Sequence, residues 1–76
     1  MKIEVLGTGC SKCKTLYENV KKALEESGRS ADVVKVEDIL SIMKYGVMST
    51  PALVIDGQVK FSGKLSSAAE IAGMLP

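Results

Sequence analysis

The chain is expected to fold as an α/β domain of order βαβαββα: a four-stranded mixed sheet with helices on both faces. Three observations lead there. A β-prone run closes on Gly7 and gives way to a long stripe of helical period. A second β-prone run follows after a span long enough for a crossover. The second half holds two short strand-like runs joined by Asp56-Gly57, a strong hairpin signal.

Each element has its own local reason. Lys2-Ile3-Glu4-Val5-Leu6 is short, β-prone and ended by Gly7. Cys13, Leu16, Tyr17, Val20 and Leu24 then recur at spacings of three and four, which is one apolar helix face. Lys14, Glu18, Lys21, Lys22, Glu25 and Glu26 fall on the other faces, with Glu18 and Lys22 in the favourable i,i+4 order. Ser27-Gly28 stops this helix, because glycine accepts the left-handed cap. Ala31 to Val36 reads as the second strand. About twenty-five residues separate it from the first, which suits a βαβ crossover and parallel pairing. Glu37 to Gly46 carries a short helix with Asp38 as N-cap and Gly46 at C′. Val47 to Pro51 is a loop, since proline cannot donate within a central strand. Ala52 to Ile55 and Gln58 to Ser62 form the hairpin. Ser67 and Glu70 have capping-box spacing and open a last helix expected to carry Ile71, Met74 and Leu75.

Composition narrows the class. Seventy-six residues make one domain, 1–76, around one modest core. The chain is 46% hydrophobic and 25% charged, which suits a folded protein, and its net charge of +1 argues against nucleic acid as a main partner. Tyr17, Tyr45 and Phe61, the only aromatics, are too scattered to form a base-stacking platform. No apolar run approaches the roughly 20 residues that span a bilayer. The first strand starts within two residues of Met1, so no signal peptide is expected and the chain reads as cytoplasmic. In that compartment a lone Cys-x-x-Cys is redox-active or metal-binding rather than structural.

Both cysteines lie in Gly7-Thr8-Gly9-Cys10-Ser11-Lys12-Cys13, at the turn from strand to helix. Such a pair can open and close a disulfide, or it can hold a soft metal. For disulfide exchange the thiolate is the attacking species, and a free thiol of pKa about 8.5 is only a few per cent ionised at neutral pH. In the first turn of the helix, Cys10 would gain from unpaired N–H groups, the helix dipole and the positive charge of Lys12. A pKa near 7 would leave about half of it reactive. Cys13, three residues on, would be less exposed and within bonding reach. On the metal side, two thiolates suit Cu(I), but no histidine or third cysteine is present to complete a tetrahedral zinc site in one chain. A dinucleotide loop is excluded because Lys12 stands where its third glycine belongs, and a Walker loop needs longer spacing. Gly7 and Gly9 are expected to let the backbone turn sharply into the helix.

The element order, Gly9-Cys10-Ser11-Lys12-Cys13 after the first strand, the run Gly46 to Gly57 with Thr50-Pro51, and Gly63 ahead of the last helix together resemble the thioredoxin fold. The closest likeness is to the small thioredoxin-like redox-active disulfide proteins of prokaryotes, which are similar to glutaredoxins in size. It covers essentially the whole chain. The resemblance implies that Cys10 attacks and Cys13 resolves. It also implies a cis Pro51 facing them, a Thr50 that offers its backbone to an extended substrate, and a Gly63 that keeps this groove free of a side chain. Glu4, six residues before Cys10, falls where thioredoxins place a buried acid, which makes it a candidate proton relay. Against this stands the ordinary expectation, favoured here, that a polar residue in a short strand is solvated. Tyr17, Tyr45, Met43 and Met48 are expected to pack in the core or at its rim, with Met48 and Tyr45 contributing to an apolar contact surface.

The motif departs from Trp-Cys-Gly-Pro-Cys of thioredoxins proper and from Cys-Pro-Tyr-Cys of many glutaredoxins, so neither substrate preference transfers directly. Ferredoxin-like metallochaperones run βαββαβ and usually carry methionine where Thr8 stands. The expectation is therefore a monomeric thiol–disulfide oxidoreductase without bound cofactor or metal. It would exchange a Cys10–Cys13 dithiol with protein disulfides and be regenerated by an external reductase. A glutathione-dependent, glutaredoxin-type reductase and a Cu(I)- or Zn(II)-binding module are the alternatives.

Overall fold

The computed structural model describes residues 1–9 and 11–76 of the chain. Its elements are β1 (Lys2–Leu6), α1 (Ser11–Ser27), β2 (Asp32–Val36), α2 (Ile39–Lys44), β3 (Ala52–Ile55), β4 (Gln58–Ser62) and α3 (Ala68–Ala72). The sheet order is β2-β1-β3-β4. β1 runs parallel to β2, with Lys2 opposite Asp32 and Leu6 opposite Val36, and antiparallel to β3, with Leu6 opposite Ala52. β3 and β4 form the hairpin, interrupted by a bulge at Leu53/Val54. This is the expected mixed α/β sheet.

Strand alternation divides the core in two. Ile3, Val5, Leu53, Ile55 and Phe61 meet α1 (through Leu16, Val20, Ala23 and Leu24) and Ile71 of α3 on one face. Leu6, Ala52 and Val54 meet Ile42 of α2 on the other, flanked by Val36, Tyr45 and Val47. The longer helix therefore covers the larger apolar set. α2, only six residues long, covers one part of its face.

Turn chemistry sets the ends. α1 closes with Gly28 at φ +68°, where Gly28 N–H bonds Glu25 C=O and Arg29 N–H bonds Leu24 C=O, a Schellman cap. Asp38 caps α2 by accepting from Ser41 N–H, and Gly46 follows the C-cap residue Tyr45 at φ +72°. Asp56 (φ 49°) and Gly57 (φ 83°) build the two-residue hairpin turn with both positive φ values that this turn demands. The Ser67–Glu70 capping box opens α3.

Two boundaries differ from expectation. β2 starts at Asp32 rather than Ala31; the Asp32 N–H bonds Met1 C=O, and this bond begins the pairing with β1. α3 ends at Ala72, so Met74 and Leu75 lie beyond it. There the backbone tightens into shorter bonds, Met74 N–H to Ile71 C=O and Leu75 N–H to Ala72 C=O, yet both side chains still pack on the core.

Candidate active site

Cys13 lies in the first turn of α1 and is 6% exposed, on the same apolar stripe as Leu16 and Val20. Its sulfur packs directly against the backbone of Gly7, the residue that follows β1. A Cβ added at Gly7 would fall on Cys13 Sγ, come within 3.0 Å of Cys13 Cβ, and lie 3.9 Å from Thr50 Cβ. Gly7 is itself fixed by its N–H bond to Val36 C=O (3.0 Å), the last pairing of the β1–β2 edge. The resolving-cysteine candidate, the end of β1 and the loop before β3 thus converge at one point.

The two glycines ahead of the cysteines have different reasons to be there. Gly9, at φ +86°, supplies the backbone turn expected of both. Gly7 instead permits close approach to the sulfur. Nothing in its local sequence distinguishes the two cases, because the contact is tertiary.

The Thr50–Pro51 bond is cis. Pro51 is buried while Thr50 is exposed beside it. Gly63, at φ +70°, donates its N–H to Pro51 C=O at 2.9 Å. A Cβ at Gly63 would approach Ser49 Cβ at 2.9 Å, so this glycine makes room for the loop carrying Thr50 as well as for its own backbone conformation. Lys12 is exposed in the first turn of α1, which holds no acidic residue. Cys10, the expected attacking cysteine, lies outside the described residues.

A cavity of about 230 Å³ opens beside Cys13 between α1 and β2. The buried Val5 and Cys13 line it together with Gly7, and the exposed Lys14, Lys35 and Glu37 stand around it. Lys35 Nζ also lies 4.5 Å from the ring centre of Tyr17, a cation–π contact across the same groove.

Glu4 corrects the expectation of a solvated strand residue. Its side chain is 13% exposed, and both carboxylate oxygens accept from Tyr45 Oη at 2.9 Å, with Lys2 Nζ at 3.9 Å. Alternation puts Glu4 on the α2 face with Leu6, whereas Val5 lines the Cys13 cavity from the α1 face. The bond to Glu4, then desolvation and the carboxylate charge, push the Tyr45 hydroxyl above its ordinary pKa. Tyr45 thereby ties the end of α2 to the middle of β1. Met43 and Met48, expected in the core or at its rim, are instead 63% and 95% exposed: on α2 it is Ile42 that turns inward, and Met48 lies in the loop beyond that helix.

Among the described residues no group of three or more His, Cys, Asp or Glu side chains could hold a metal ion, and no helix is long and apolar enough to cross a membrane.

A parallel strand–helix–strand unit with a cysteine at the helix start, followed by a cis-proline hairpin, defines a thioredoxin-like redox domain. The profile of the thioredoxin domain family matches residues 1–76, and the chain belongs to that family. It is 48% identical over 69 residues to a thioredoxin of Methanocaldococcus jannaschii, an alignment covering 91% of this chain and 79% of the relative. It is 36% identical over 75 residues to a thioredoxin of Methanothermobacter thermautotrophicus, covering 99% of this chain and 97% of the relative. A probable thioredoxin of Methanothermobacter marburgensis shares 37% over 67 residues, 83% of this chain and 79% of that protein. The chain is a thioredoxin-type redox protein.

Proposed function

We propose that the chain reduces protein disulfides by a two-step thiol exchange carried by Cys10 and Cys13. The Cys10 thiolate attacks one sulfur of a substrate disulfide; a Cys10–substrate bond forms and the other substrate sulfur leaves as a thiolate. The Cys13 thiolate then attacks the Cys10 sulfur, releasing the second substrate thiol and leaving a Cys10–Cys13 disulfide. Two electrons have passed to the substrate. An external reductase returns two electrons and two protons, and no bound cofactor takes part.

The observation that carries this reading is the seat of Cys13. Its sulfur is buried against Gly7, and Thr50 Cβ lies 3.9 Å from where a Gly7 Cβ would sit, the arrangement expected of a resolving thiol shielded from bulk disulfides yet next to the substrate groove. Lys12 in the same helical turn, with the N–H groups of the helix start, favours a thiolate at position 10. Exposed Thr50 offers backbone groups for strand-like pairing with a substrate, and Met48 beside it offers an apolar contact. Gly63 keeps the Ser49–Pro51 segment in place. Glu4 is assigned to the Tyr45 tether, on the sheet face opposite the Cys13 cavity. Such chemistry needs a compartment that supplies reductant, which favours the cytoplasm.

Insulin reduction with dithiothreitol tests the reading. Wild type should accelerate precipitation of the insulin chains, and Cys10→Ser should be inactive. A Cys10→Ser variant as active as wild type would refute it. Activity confined to glutathione mixed disulfides would move the assignment to the glutaredoxin type.

A further inference from the structure

We propose that the cavity beside Cys13 is a binding site for a small zwitterionic disulfide, the oxidised form of a free amino-acid thiol. Its volume of about 230 Å³ is below the roughly 300–1,000 Å³ of pockets that take drug-sized ligands. It equals roughly eight water volumes, room for one amino-acid half of such a disulfide. Its floor is apolar, made by buried Val5, Gly7 and Cys13, and Gly9 brings no side chain into the opening. Its mouth carries both signs of charge, in exposed Lys14, Lys35 and Glu37. Register explains part of this grouping: Lys35 pairs with Val5, so both side chains stand on the α1 face. Lys35 is steadied there by the Tyr17 ring, 4.5 Å from its Nζ. Among the described residues the recorded ion pair is Lys2–Glu4, so none of the three charges at the mouth is neutralised by a neighbour.

Those charges select the occupant. Two ammonium groups and one carboxylate complement a ligand that carries its own carboxylate and ammonium on one carbon. A plain anion would face Glu37, and a plain cation would face two lysines. A disulfide inside a polypeptide has neither free group at its cysteines, so the site separates a free amino-acid disulfide from protein substrates. Cys13 in the floor, and Gly9 just before Cys10 in the chain, put the ligand beside the reacting pair. With cystine, the Cys10 thiolate attacks one sulfur, a Cys10–cysteine bond forms, and the other cysteine leaves as its thiolate. The Cys13 thiolate then attacks the Cys10 sulfur, the second cysteine leaves, and a Cys10–Cys13 disulfide remains. Two electrons have passed to the ligand, and the external reductase restores the dithiol. The reaction rests on the cysteine exchange proposed above; the binding does not.

The test separates binding from chemistry with lanthionine, the thioether analogue of cystine that no thiol can cleave. Titrated into the reduced wild-type chain, it should move the amide resonances of Val5, Gly7, Gly9, Cys13, Lys35 and Glu37 saturably. A ligand this small at exposed charges should bind with a Kd of about 1–10 mM. Thiodipropionate, which lacks the ammonium groups, and thiobis(ethylamine), which lacks the carboxylates, should each bind roughly tenfold more weakly. Lys35→Glu should weaken lanthionine by roughly tenfold as well, because it replaces an attraction by a repulsion. The comparison of ligands on the wild type stands without that variant. Cystine should be reduced alongside insulin. No saturable shift up to about 50 mM lanthionine would overturn the proposal, as would shifts centred elsewhere or equal binding of either analogue. Insulin reduction without lanthionine binding would remove the site and leave the cysteine exchange standing. Lanthionine binding by a chain that reduces neither insulin nor cystine would remove the exchange, and with it the disulfide as ligand.

Discussion

An alanine at position 7 would set its methyl carbon on the Cys13 sulfur, between the end of β1 and the first turn of α1. Relief needs the short Cys13 side chain to leave its seat or the start of α1 to shift, because Cys13 Cβ is also only 3.0 Å away. Gly7→Ala should cost about 1–3 kcal/mol, the usual range for overpacking, and should speed alkylation of Cys13 by displacing it. An unchanged urea midpoint would show that the sulfur is not seated there. Ser66 gives the opposite sign. It is 1% exposed, and its hydroxyl has no hydrogen-bond partner among the described residues, although its C=O accepts from Asn19 Nδ2 at 3.0 Å. Removing an unsatisfied buried hydroxyl should stabilise, so Ser66→Ala is expected to gain up to about 1 kcal/mol in urea denaturation. A loss would mean that the hydroxyl is bonded. Tyr45 carries a pH signature. Its pKa is raised in the folded chain, so the stabilisation is present below the ordinary value of about 10 and is lost as pH rises through the folded value. In a Tyr17→Phe background the remaining phenol should ionise at higher pH folded than in urea. Glu4→Gln should reduce that difference.

Among the elements, α3 depends most on its cap. Ser67 Oγ accepts from Glu70 N–H while a Glu70 carboxylate oxygen accepts from Ser67 N–H. The bond from the Ser67 backbone, then that from its hydroxyl, hold the Glu70 carboxyl below its ordinary pKa. A lowered carboxylate pKa stabilises above the unfolded value of about 4.3 and loses that contribution as pH falls through the folded one. Ser67→Ala should cost about 1 kcal/mol at neutral pH, and Glu70→Gln, which removes the titrating carboxyl, should flatten the acid limb of the stability profile. If Glu70→Gln and wild type lose stability in parallel below pH about 4, the capping box is not the cause. The hairpin and the α1 stripe were legible in the sequence because Asp56-Gly57 and the 3-4 spacing are local signals. The end of α3 was not. Met74 and Leu75 keep the apolar character of a helix face, and only the backbone beyond Ala72 shows that they pack from a tightened turn.

At the scale of the whole molecule, a four-stranded sheet brings the start of α1, the end of β1 and the cis-proline loop to one edge of the domain. Element order, the parallel β1–β2 pair and the two cysteines could be read from 76 residues. The contact of Gly7 with Cys13 could not, nor the tether between Tyr45 and Glu4. Each joins residues through the fold, 41 positions apart in the second case, and no local pattern encodes either. Exposure of Met43 was hidden for a related reason: composition marks a methionine as apolar, and only the position of α2 over the sheet decides which side it faces. The division of labour between the cysteines is tested most directly by trapping. Incubated with a disulfide-bonded protein, Cys13→Ser should accumulate a covalent adduct through Cys10 that dithiothreitol releases, while Cys10→Ser should form none. Equal trapping by both variants, or adducts on Cys13 alone, would contradict the account.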